Sequence, residues 1–82
     1  MQKNEKAPPS AKAQDASQKA LGARVRSHRE RLGLTKHQLA IQAGLAPESI
    51  SGIERGDTDP RASTMRKIAD VLGVPAGFLT FG

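Results

Sequence analysis

Eighty-two residues suffice for one domain, and 13 Lys and Arg against 8 Asp and Glu leave a formal net charge of +5, which favours polyanionic partners, nucleic acid ahead of acidic membrane surfaces. The absence of cysteine excludes a disulfide framework and a thiolate metal site and fits a reducing cytoplasm. No apolar run follows the N-terminal lysines, which argues against a signal peptide or a membrane span; with no Trp or Tyr the chain also lacks aromatic platforms for stacking single-stranded bases, so duplex DNA fits better.

Residues 1–14, MQKNEKAPPSAKAQ, hold nothing larger than Ala after Met1 that could enter a core, and they read as a disordered basic tail. Residues 15–82 read as one all-α domain. Leu21, Val25, His28 and Leu32 recur on one helical face; Asp15 or Ser17 is expected to cap this helix, Gly33 to end it, and Arg24, Arg26 and Arg31 to line its outer side. Thr35 and Gln38 have capping-box spacing, which predicts a short second helix with Leu39, Ala40 and Ala43 inward and Ile41 outward.

Pro47 suits the first position of a third helix, because its missing N–H costs nothing there. In that helix Ile50 and Ile53 point to the core, while Glu48, Ser51, Gly52 and Arg55 share the opposite face up to the stop at Gly56. A fourth helix carries Met65, Ile68, Ala69 and Leu72 inward and closes at Gly73, and a last short turn surrounds Phe78 and Leu79. Nothing alternates with period two, so no strand is expected.

Ala40, Gly44, Ile50 and Ile53 have the spacing of a helix-turn-helix: a small residue where the helices cross, a glycine in the sharp turn and two branched residues locking the second helix onto the first. The second helix of such a pair lies in the DNA major groove. That accounts for GLAPESISGIERG, a helix with few apolar residues, whose outer face must be small and polar to fit a groove.

Four linked blocks, LGxRVRxxRxxxGLT, LAxxAGL, SISxIERG and Pro-x4-Met-x2-IAxxLGV, fall in order between Leu21 and Val74. With them the chain resembles the Cro/C1-type (XRE-like) helix-turn-helix domain from about Leu21 to Leu79. The resemblance implies a compact five-helix, lambda-repressor-like bundle that binds operator DNA, usually as a symmetric dimer. It places Lys36 and the adjacent His37 near a phosphate, Pro47, Glu48, Ser49, Ser51 and Gly52 toward bases or groove, and Arg55 on phosphate. It also makes Arg29 and Glu54 an internal salt bridge. Lys36 stands where relatives often have Gln, and Glu48, Ser49 and Ser51 replace the Gln or Asn that read adenine, so water and DNA shape are expected to carry more of the specificity. Asp57 and Asp59 occupy a loop that is often basic in relatives and are expected to repel the backbone, with Arg61 as the offsetting cation.

His28 and His37 lack companions at metal-ligand spacing, and a calcium loop begun at Asp57 would need Glu where Ile68 stands, so neither metal nor cofactor is expected. No nucleophile elbow or phosphate-cradling glycine loop suggests an enzyme. Phe78, Leu79 and Phe81 either cover the base of the bundle or form a homodimer interface. The function implied is a cytoplasmic regulator, acting as a repressor on a palindromic operator in double-stranded DNA. The alternative from another class is an antitoxin or other protein-interaction module, whose tail folds on a toxin or a second regulatory protein.

Overall fold

The computed structural model describes the backbone of residues 9–81 and the side chains of residues 17–81. Among the described residues five helices occur in chain order: α1 (Pro9–Arg31), α2 (Lys36–Ala43), α3 (Pro47–Arg55), α4 (Ala62–Leu72) and α5 (Ala76–Phe81). Among the described residues there is no strand. The expected all-α, five-helix architecture is the one observed.

α1 starts earlier than a cap at Asp15 or Ser17 would allow, and both residues lie inside it. Ala, Lys and Gln dominate positions 11–20, all good helix formers, and nothing there interrupts a helix. Residues 1–8 of the expected tail, with Lys3 and Lys6, lie outside the described residues, as does the side chain of Lys12.

Leu21 and Val25 are buried as their periodicity predicts, but Leu32 is exposed. The helix ends at Arg31, and Leu32 belongs to the next turn, its N–H donating to the carbonyls of His28 and Arg29 at 3.2 Å each. The inward place one turn beyond Val25 belongs to Arg29, which is buried. Arg24 also departs from the expected outer position: it is half-buried, and Nη1 donates to the carbonyls of Leu79 at 3.0 Å and Thr80 at 3.2 Å, closing orphan acceptors at the end of α5.

α2 begins as its sequence dictates. The Gln38 N–H donates to Thr35 Oγ1 at 3.0 Å and the Thr35 N–H donates to Gln38 Oε1 at 2.8 Å, completing the capping box. It ends at Gly44, whose φ of 71° is left-handed; the Leu45 N–H returns to the Ala40 carbonyl at 2.8 Å and turns the chain sharply into α3.

Leu21, Val25, Leu39, Ala40, Ile50, Ile53, Met65, Ile68, Ala69, Leu72 and Leu79 form one core. Val25, Leu39, Ile50, Ile68 and Leu79 are its largest fully buried side chains, each worth about 1.5–3 kcal/mol by removal from water. Leu79 therefore belongs to the core of its own chain. Of the three residues Phe78, Leu79 and Phe81, only the two aromatics present surface, and Phe78 sets its ring edge-on to His28 with centroids 5.3 Å apart.

Candidate nucleic-acid interface

α3 is held from three sides. Ile50 and Ile53 bury its inner face against α2, where Ala40 is fully buried. On the α1 side, Gly22 lies so near the carbonyl oxygens of Ile53 and Glu54 that a β-carbon would overlap them, so α1 and the last turn of α3 meet backbone to backbone. The third hold is ionic: Arg29 Nε donates to Glu54 Oε2 at 2.7 Å and Nη2 to Oε1 at 3.0 Å, while Nη1 donates to the Leu34 carbonyl at 2.7 Å. The side chains are only 9% and 3% exposed. The hydrogen bond to Glu54 raises the pKa of Arg29 against the opposing effect of burial, with the charges of Glu54 and Glu30 adding to the rise. The internal salt bridge implied by the family resemblance is thus formed, and it spans α1 and α3.

So fixed, α3 keeps its other face open. Pro47, Glu48, Ser51 and Arg55 line a shallow concavity along it. Ser49 lines a second one on the other flank, with Thr58, Asp59, Pro60, Arg61 and Thr64 from the α3–α4 connection and the start of α4. Nine residues at about 1.5 Å rise make α3 about 13 Å long, and with side chains a helix is about 10–12 Å across, a fit for a major groove about 12 Å wide. Glu48 in its first turn and Arg55 in its last both complement the helix dipole.

The sequence-predicted residues divide. Glu48, Ser49, Arg55, Lys36, His37 and Arg61 are exposed and Pro47 and Ser51 half-buried. Lys36 opens α2 directly after the Thr35 cap, at the positive end of the helix. Gly52 differs from expectation: it is buried, because the connection after Gly56 folds back and lays the Thr58 side chain over it. Arg55 is not a bare cation, since Nε donates to Asp57 Oδ2 at 2.7 Å. Thr58 and Thr64, which line the second concavity, were not singled out by the sequence reading. The left-handed Gly56 was the one local sign that the chain would double back over α3 (φ 78°).

An all-helical bundle that displays one short polar helix, clamped from behind, defines a helix-turn-helix protein. Residues 20–77 match the family described as the helix-turn-helix domain. The chain belongs to that family, in its Cro/C1-type branch. It is 34% identical over 61 residues to an HTH-type transcriptional regulator of Mycobacterium tuberculosis, an alignment covering 74% of this chain and 24% of that protein. The chain thus spans about a quarter of that relative's length. A regulator of Methanothermobacter thermautotrophicus is 37% identical over 49 residues, 60% of this chain and 71% of the other.

The backbone is similar to the crystal structure of the restriction-modification controller protein C.AhdI from Aeromonas hydrophila, with a TM-score of 0.75 and 30% identity, over 78% of this chain and 97% of that one. It is also similar to the clp gene regulator ClgR from Corynebacterium glutamicum, with a TM-score of 0.72 and 28% identity, over 77% and 67% of the two chains. The fold is the lambda-repressor-like bundle. Among the described residues no helix is long and apolar enough to cross a membrane, and no cluster of His, Asp or Glu could hold a metal.

Proposed function

We propose that this chain is the DNA-binding part of a cytoplasmic transcriptional regulator, a repressor that acts as a homodimer on a palindromic operator. The observation that carries this reading is α3 itself. Its inner face is locked by Ile50, Ile53 and the Arg29–Glu54 pair, and its outer face offers Pro47, Glu48, Ser51 and Arg55 in an open concavity. A rigid helix with small polar residues outward can approach base edges closely. Glu48 would accept from cytosine N4, the serines would bond to either partner, and Lys36, Arg55 and Arg61 would fix the register on phosphates. The names of the relatives, all transcriptional regulators or controllers, support the same reading.

The dimer is supported by Phe81, which is 85% exposed at the end of α5 and borders a groove lined by Leu21, Met65, Ala76 and Thr80. A homodimer reading a palindrome needs its two copies of α3 in successive major grooves about 34 Å apart. The test is selection of bound duplexes from a random pool, then isotherms of the winner and a scrambled duplex at two salt concentrations. The reading requires a palindromic winner bound roughly 10³-fold or more above the scramble. Equal binding of both duplexes would reject it and turn the search to a protein partner.

A further inference from the structure

Arg55 is the last residue of α3, and the next three residues wrap around it. Gly56 takes a left-handed turn (φ 78°), and the Asp57 N–H then donates to the Gly52 carbonyl at 3.0 Å. Thr58 settles over Gly52, where an added β-carbon would stand 3.3 Å from Thr58 Cγ2. These contacts present the Asp57 carboxylate to the Arg55 guanidinium, 2.7 Å away. The pair is exposed, at 61% and 57%, so solvent and other anions reach it and it exchanges readily.

A planar carboxylate and a tetrahedral phosphate diester offer a guanidinium the same chemistry, paired oxygens that share a negative charge. We propose that Asp57 is an internal competitor for the DNA phosphate at Arg55, lowering affinity for the duplex backbone and leaving discrimination to the groove face of α3. This deepens the DNA-binding reading and rests on it. Asp57 holds Nε of Arg55, so a phosphate approaching on that edge must displace it, and one approaching Nη1 or Nη2 still meets a guanidinium whose charge the neighbouring carboxylate offsets. Asp57 therefore opposes sequence-independent binding, the part of affinity that rests on phosphate contacts.

The probe is a random-sequence duplex, titrated at several salt concentrations with the wild type and with Asp57→Asn, Asp59→Asn, Arg55→Gln and Asp57→Asn/Arg55→Gln; thermal melts check that each is folded. Asp57→Asn should bind about 1.5- to fivefold more tightly for each protomer engaged, the range that an exposed ion pair supplies. Its salt dependence should be steeper. Asp59→Asn removes the same charge from the same loop and should gain less, and the Asp57→Asn gain should vanish when Arg55 is Gln. No gain from Asp57→Asn, equal gains from both asparagine variants, or a gain that survives without Arg55 would each overturn the proposal while leaving the DNA-binding reading standing. Failure of every form, wild type included, to bind the duplex at low salt would overturn both.

Discussion

Gly22 of α1 rests against the carbonyl oxygen of Ile53 in α3, closer than any side chain would permit. Two effects oppose each other when it becomes alanine. Ala is a better helix former by about 1 kcal/mol, whereas overpacking against backbone that cannot rotate away costs about 1–3 kcal/mol or more. The contact should win, because it is with backbone: Gly22→Ala should lower unfolding stability in urea titrations by up to about 2 kcal/mol. A stabilised variant would show that the two helices can separate without loss.

The Arg29–Glu54 pair should behave as a buried ion pair. Removing one partner strands the other charge, so Glu54→Ala should cost about 3–5 kcal/mol, a large share of the total stability of a domain this size. Replacing both, as Arg29→Met/Glu54→Leu, should recover most of that loss. Chemical denaturation of the three proteins checks the order.

The raised pKa of Arg29 also fixes a sign. A base whose folded pKa exceeds its unfolded value contributes fully below the unfolded value and loses that contribution only as pH rises through the folded one. For arginine both lie far on the basic side of neutrality. The stability difference between wild type and the double replacement should therefore show no loss from Arg29 between about pH 7 and pH 11, read from urea midpoints across that range.

Ser49→Glu/Ser51→Glu places bulky acids on α3 without touching its buried residues. The variant should still fold, since neither serine is in the core; the exposed Ser49 should cost within about 0.5 kcal/mol and the half-buried Ser51 somewhat more, which a thermal melt checks. If both serines meet bases, duplex binding should fall about 30-fold or more, the loss that two contacts at about 1–3 kcal/mol each imply, and a mobility-shift titration would show it. Unchanged binding would move the interface away from α3.

Phe81→Ser tests the other end of the molecule. If α5 carries the dimer contact, sedimentation should show association weakened about tenfold or more, as expected for an exposed aromatic anchor of about 1.4 kcal/mol or greater. Leu79 offers no such test, because it is fully buried in its own core and its truncation would cost about 2–5 kcal/mol of fold stability instead.

What could be read along the chain was whatever acts within one turn of it. Thr35 and Gln38 cap each other across three residues, Gly44 turns the chain on bonds to Ile41 and Ala40, and the periodic residues of α4 share a face by helix geometry alone. These local rules were enough to predict five helices and the polar face of α3. The burial of Arg29 in place of Leu32, the return of Arg24 to the carbonyls of α5 and the cover of Thr58 over Gly52 depend on which elements come together. Periodicity assigns a residue to a face but does not say what lies opposite, and a polar side chain is buried only where a distant partner satisfies it. The resemblance had already paired Arg29 with Glu54, but only the packed fold could decide that this pair would be buried between α1 and α3 and that Arg24 would turn in to α5.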